Sequence, residues 1–409
     1  MRKNTVQFFL LDTLLAFTFC LPSSQQAFAF SNCAALPTNM FSQPLSLPEI
    51  TDLALACNPS TIAAWAQFKA SYANIGIAKS AYWPQITAAM QWNEQSHGNN
   101  SNNSSTSDNP SNYGPSISLN YLVWDFGTRA EKVHAAKLQW QAANLTQNAT
   151  LQQLIFQVEQ AYYQALGQQA LVLANQTSVT EGKANLTVAK ALHQHGLATI
   201  GDIYQAQSAL AQIELQTAEA KGAQQIALGQ LLTSMGLPIN SPIRLADLPE
   251  QIHPQAILKS FAELLEYAKQ HRPDLLSARL QTKAAAAQLA ITQQQALPTL
   301  QLSATSAINY PLKNGGNRNN LGIAITLPLF TGFAQHYAQQ QAQVQTLQAQ
   351  AQTEALSQQV ALQVWQAYFN LQTCTEAINY SIALLKSSLQ ASQQAFGQYR
   401  AGVGNILNV

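Results

Sequence analysis

From Thr128 to His195 the chain runs without a proline. Its apolar positions (Val133, Leu138, Leu145, Leu151, Leu154, Ile155, Val158, Tyr162, Leu166) recur at three- and four-residue steps among Ala and Gln. That is the period of a helix, not of a strand. At 1.5 Å per residue a helix over that run would be roughly 100 Å long, far more than a globular core needs. Gly196 interrupts it, and a second helix is predicted from Ile200 to Met235, stopped by Gly236 and Pro238. Two long helices joined by a tight turn form an antiparallel hairpin. Such a hairpin also suits a rod-like scaffold, so the flanking segments must decide.

Upstream, Asn58 and Pro59 read as the N-cap and first position of a helix that runs through Trp65, Phe68, Tyr72 and Ile75 to about Ala81. The period then changes. Between Pro84 and Trp92 the residues Ile86, Ala88, Met90 and Trp92 alternate with polar ones, and Ile117, Leu119, Tyr121 and Val123 do the same after a polar loop. Both strands have about the ten residues that a tilted membrane strand needs.

All of this then recurs. Pro273 answers Pro59 and Pro298 answers Pro84, and the step from Pro59 to Pro84 equals the step from Pro273 to Pro298. Leu300, Leu302 and Ala304 begin a third strand, and Leu321, Ile323, Ile325 and Leu327 a fourth. Gly332 answers Gly127, and another Ala/Gln-rich helix reaches Gly402, the counterpart of Gly196, so that the two glycine-to-glycine spans nearly match. The chain is an internal duplication whose period is close to half its length.

Its predicted parts are a signal segment at 1–29, an extended tail and short helix at 30–57, a first repeat at 58–236, a linker at 237–270 with a helix near Ala256 to Lys269, and a second repeat at 271–409. In the second repeat Val409 corresponds to Ile203, so a return helix is expected to be lacking.

The signal reading rests on Arg2 and Lys3, the apolar run Phe8 to Phe19, and Ala27-Phe28-Ala29, with cleavage after Ala29. An N-terminal anchor is the alternative. Beyond that run no stretch of about 18 apolar residues occurs, so any crossing of a membrane is by strands. Four amphipathic strands cannot close a barrel, because single-chain barrels begin at about eight. Closure therefore requires further copies of the chain.

Charge excludes other classes. Only 20 Lys+Arg and 19 Asp+Glu occur among 409 residues, with a net charge of +1, and about a quarter charged is usual for soluble domains. There is no electrostatic case for nucleic acid. Gln, Asn, Ser and Thr carry the polarity, as suits a long wall facing water. No phosphate loop, nucleophile elbow or metal-spaced Cys/His set is present, so neither an enzyme nor a cofactor is expected. His193 and His195 point to different sides of a helix end, and no metal site is assigned to them. Cys33 and Cys57 are a candidate pair in an oxidising compartment.

The chain resembles TolC-family outer membrane factors over nearly all of its mature length. The resemblance is carried by Asn58-Pro59, Trp83-Pro84, Tyr121 to Gly127 (YLVWDFG), Gly196 to Ala206 (GLATIGDIYQA), Arg272 to Leu275 (RPDL), Leu327 to Gly332 (LPLFTG) and Tyr399 to Gly402 (YRAG), in order and duplicated. It implies an α+β membrane protein, each unit being two transmembrane β-strands plus long antiparallel coiled-coil helices. It implies a homotrimer with a 12-stranded β-barrel in outer membrane lipid, continued by a periplasmic α-barrel of about 100 Å. Its partners would be a periplasmic adaptor protein and an inner-membrane RND or ABC transporter, in tripartite efflux or type I secretion.

The resemblance also implies a periplasmic gate near the turns at Gly196 and Gly402. By motif match, Asp202 is the acidic residue of the first repeat and Tyr399 the tyrosine before the second turn, which makes a Tyr399 to Asp202 hydrogen bond the gate candidate. Gly404 stands where the family's type member has an arginine, and Asn408 where it has a constricting aspartate. Asp202 has a second reading, as a cap of the return helix. Trp83, Trp92 and Trp124 read as interfacial belt or as packing, and Trp65, Trp140 and Trp365 as packing at helix interfaces. The rival function is a periplasmic adaptor or coiled-coil scaffold without a channel.

Overall fold

The computed structural model describes residues 43–93, 112–246, 259–310, 316–401 and 403. The signal segment 1–29, Cys33, Gly402, Gly404 and Asn408 lie outside them, and with Cys33 the pairing to Cys57. In chain order come α1 (Leu47–Cys57), α2 (Pro59–Ser80), β1 (Gln85–Asn93), β2 (Asn112–Trp124), α3 (Thr128–Gln194), α4 (Ile200–Ser234), α5 (Phe261–His271), α6 (Pro273–Gln294), β3 (Thr299–Asn309), β4 (Gly316–Thr326) and α7 (Ala334–Arg400). The helices α3 and α7 have 67 residues each, so each is about 100 Å long. None of the described helices is long and apolar enough to cross a membrane.

Local chemistry sets the boundaries. Asn58 accepts the Ser60 amide at 2.8 Å, capping α2 ahead of Pro59, and its amide donates to the Ser234 carbonyl at 2.7 Å, tying the start of α2 to the end of α4. Gly236 follows in a left-handed conformation (φ +73°), and a Cβ there would lie 2.7 Å from the Cys57 carbonyl oxygen. Position 236 thus needs glycine for conformation and for space. The linker helix begins at Phe261, later than the expected Ala256, because Ser260 and Glu263 form a reciprocal capping box there.

The described strands form one antiparallel sheet in the order β1-β2-β3-β4. The second, third and fourth strands are longer than the alternation alone predicts, because pairing extends the hairpins past the apolar residues: Trp92 faces Tyr113 and Ile308 faces Asn317, while Leu327 falls outside β4. The duplication is joined in the middle, where β2 pairs with β3 through Leu119↔Ala304 and Tyr121↔Leu302. Register brings Ile86, Leu119, Ala304 and Leu321 onto one face and Gln85, Asn120, Ser303 and Gly322 onto the other. The apolar face is open to the surroundings, with Met90 79% and Leu321 74% exposed. On the polar face the hydroxyls of Thr87 and Ser118 are bonded at 2.6 Å.

Below the sheet the helices stand side by side, α3 between α2 and α6, with α7 against α6 and α4 against the far half of α3. Small residues let them approach: Ala135 and Leu138 of α3 meet Ala284, Ala287 and Ile291 of α6. Hydroxyls bond across the seams, Ser277 to the Ala142 carbonyl and Thr282 to Thr353, both at 2.9 Å. The largest apolar cluster lies at mid-height, where Ile50 and Leu53 of α1 pack on Leu154 and Val158 of α3, on Leu231 of α4 and on Met235 just past its end.

Leu231 is fully buried in that cluster. Leu231→Ala is expected to lower unfolding stability by about 2–5 kcal/mol, read as a lower melting temperature of the detergent-extracted protein.

Candidate channel wall and periplasmic tip

Two places on this frame bear on passage: the junction where the sheet hands over to the helices, and the far turn between α3 and α4. At the junction, β2 ends with an irregularity between Leu122 and Trp124. Phe126 (φ +53°) and Gly127 (φ +95°) then turn the chain into α3. Arg129, 8% exposed, holds this corner. Its Nε donates to Asp125 Oδ2 at 3.2 Å, its two terminal nitrogens to the carbonyls of Leu122 (2.6 Å) and Val123 (3.1 Å), and a longer contact of 3.4 Å reaches Ala81. Asp125 also accepts the Arg129 amide at 2.8 Å, and the guanidinium lies 4.8 Å from the Tyr82 ring centre. One planar fork thus ties the end of β2 and the turn after α2 to the first turn of α3.

The sequence reading quoted Asp125 only inside a motif and missed Arg129. In a chain with one charge in ten residues, opposite charges at i and i+4 beside a strand end were the available signal. The second repeat has Phe330 and Ala334 at the corresponding places. Its corner is made by Gly332 (φ +62°) and Phe333 (φ +65°) without such a fork.

Around the two junctions Trp83 and Trp124 are exposed at the helix end of the sheet, and Trp92 at the opposite end. Tyr113 and Tyr310 stack near Trp92, with centroids 5.7 Å apart. Trp140 instead packs on Phe68 and Tyr72, and Trp365 on Phe261 and Phe369.

At the far end, α3 closes at His195 and Gly196 (φ +75°). Thr199 and Asp202 then form a capping box: Asp202 Oδ2 accepts the Thr199 amide at 2.7 Å and its hydroxyl at 3.0 Å. Tyr399 of α7 inserts between the two helices against Ala189 and Ala206, 4% exposed. The hydrogen bond expected from Tyr399 to Asp202 is not made within the chain. Asp202 is committed to its cap, and the Tyr399 hydroxyl is buried with no partner among the described residues. The two groups still sense each other: burial first, and the Asp202 charge second, push the Tyr399 phenol above its ordinary value. His193 at the same tip is held by the Ala198 carbonyl at 2.9 Å.

A sheet with one apolar and one polar face, standing on helices about 100 Å long, is the frame of a channel that crosses a membrane on strands and extends far beyond it. Comparison with known proteins agrees. The chain belongs to the outer membrane efflux protein family, whose sequence profile it matches over residues 50–237 and 264–409. It is similar to protein CyaE of Bordetella pertussis, with 30% identity over 373 residues, covering 88% of this chain and 76% of that protein. It is similar to outer membrane protein TolC of Escherichia coli, with 24% identity over 398 residues, covering 90% and 76%. Among solved structures, outer membrane protein VceC of Vibrio cholerae superposes with a TM-score of 0.74 at 23% identity, covering 89% of this chain and 88% of that one. The protein is thus an outer membrane channel of efflux or secretion with a periplasmic helical extension.

Two outcomes follow from these sites. Arg129→Ala leaves Asp125 buried and unpaired and is expected to cost about 3–5 kcal/mol of stability, with little rescue by Arg129→Lys, which cannot fork. Thermal melts of the extracted protein measure both. In an ultraviolet titration differenced against Tyr399→Phe, the Tyr399 phenol should ionise above the ordinary tyrosine value of about 10. Because its folded value is raised, the stability it lends is full below the unfolded value and is lost as pH rises through the folded one. Asp202→Asn should lower that midpoint only in part, since burial is the larger cause.

Proposed function

We propose that three copies of this chain close a 12-stranded barrel and form a passive exit duct, loaded from the periplasm through an adaptor protein and an inner-membrane RND or ABC transporter. The observation that carries this reading is the sheet itself. It has an exposed apolar face and two outer edges, on β1 and β4, with no strand beside them among the described residues. In hydrocarbon each unpaired backbone group costs several kcal/mol, so the edges must find partners, and β4 of one copy beside β1 of the next supplies them.

In that assembly Trp83 and Trp124 mark the periplasmic rim of the lipid band and Trp92 the outer rim, where amphipathic rings are favoured. The tips at Gly196 and Gly402 converge. Tyr399 and Asp202 form the gate with Gly404 and Asn408, the buried Tyr399 hydroxyl taking its acceptor from the assembled tip. A hairpin-bearing adaptor or scaffold has no use for a sheet whose apolar face is open.

The test is the mass of the complex extracted by detergent from outer membrane fractions. Three times the chain's mass, with stepwise conductance in planar bilayers, is the expected result. A monomer in the soluble periplasm would overturn the reading. With a trimer in hand, Tyr399→Ala should raise the closed-state conductance.

A further inference from the structure

The described strands contain a single charged residue, Arg318 on β4. It pairs across the ladder with Ala307, and two residues on, Asn320 pairs with Thr305 and Gly322 with Ser303. Residues two apart share a face, so Arg318 stands on the polar face. The apolar face belongs to the other parity: Leu321, Ile323 and Ile325 opposite Ala304, Leu302 and Leu300.

Its neighbours on that face are uncharged, and no ion pair involving it occurs among the described residues. It is exposed. At about 3.3 Å per residue it lies about 10 Å beyond Leu321, toward the end of the sheet away from the helices. Its counterpart in the first hairpin cannot balance it, since β1 and β2 carry no acidic residue. Residues 94–111 and 311–315, which include Glu94, Asp108 and Lys313, lie outside the described residues.

A cation on the polar wall of an open sheet is commonplace. Repeated three times around a closed lumen, it is a ring. Twelve strands about 4.8 Å apart, tilted about 40°, close to a backbone radius of about 12 Å, and an arginine lying along the wall holds its charge about 10 Å from the axis. Lipid on the far side of the wall confines the field to the water inside.

We infer that three Arg318 guanidiniums form a cationic ring at the outer mouth of the duct, which makes that end of the lumen a weak site for anionic solutes and biases conduction toward anions. The inference rests on the trimeric reading above, because one copy supplies only a third of the site. Three unit charges about 10 Å from the axis enrich a monovalent anion there about fourfold at 0.01 M salt, and less than about twofold at 0.15 M, where the screening length is about 8 Å.

The test is the reversal potential of reconstituted channels under a KCl gradient at low salt, in the wild type, Arg318→Gln, Arg318→Glu and Arg318→Lys, each first shown to be trimeric by mass. The chloride-to-potassium permeability ratio is expected to fall at least about twofold in Arg318→Gln, further in Arg318→Glu, and to stay unchanged in Arg318→Lys, with the differences shrinking at high salt. Conducting trimers whose ratio is the same in the wild type, Arg318→Gln and Arg318→Glu would overturn the ring. Failure of the wild-type chain to yield conducting trimers would instead overturn the assembly on which it rests.

Discussion

Backbone groups in hydrocarbon have no water to bond to, and this requirement shapes everything above the helices. It explains why the chain commits its alternating segments to strands of nine to thirteen residues and why the two halves of the duplication meet at β2 and β3 rather than standing apart. It also explains why an apolar face with Met90 and Leu321 largely open is compatible with a stable protein: lipid, not a core, is what covers it. The helices answer a different solvent. Their seams are lined by alanine with a few leucine, isoleucine, serine and threonine residues, so the wall is one helix thick and its sealing rests on close approach rather than on bulk.

Mid-height is where the protein most resembles an ordinary globular domain. There α1 folds back over α3 and α4, Leu45 bridges to Leu245, and Asn58 spans two helix ends. This knot of buried leucine, isoleucine and valine fixes where α2 starts and where α4 stops. It therefore sets the vertical register between the sheet above and the tip below. α5 stands in the same place before α6 as α1 does before α2, yet no residue of α5 is buried, and its Phe261 ring meets Trp365 and Tyr368 of α7.

Much of this was legible in the sequence, because the determinants are local and periodic. Gly127, Gly196, Gly236 and Gly332 all take positive φ where the helical runs begin or end, and Asn58-Pro59 caps a helix as its spelling says. The strands were legible in kind but not in length, since the ladder recruits Pro115 and Tyr113, residues that carry no alternation of their own. The β2–β3 pairing was invisible because nothing in either strand names its neighbour. At the tip, the motif named Asp202 and Tyr399, and within one chain the expected bond between them is not made. An acidic residue three positions after Thr199 serves its own helix first, and only geometry shows that the Tyr399 hydroxyl is buried without a partner among the described residues. Arg129 was overlooked although its i,i+4 partner Asp125 stood in the motif, and Arg318 because a lone cation takes its meaning from what surrounds it in space.

The two long helices leave the sheet through unlike joints. α3 is pinned, its first turn fastened by Arg129 to carbonyls on two preceding segments. α7 starts beside exposed Phe330 and Phe333, whose rings touch edge to face, and is tied there by uncharged contacts, the Gln335 side chain donating to the Thr292 carbonyl of α6. A torque delivered at the distal end would meet a charged, multiply bonded joint at α3 and a single neutral tie at α7. The duplication copied the struts and fastened them differently, by a charged fork at one joint and a single amide at the other.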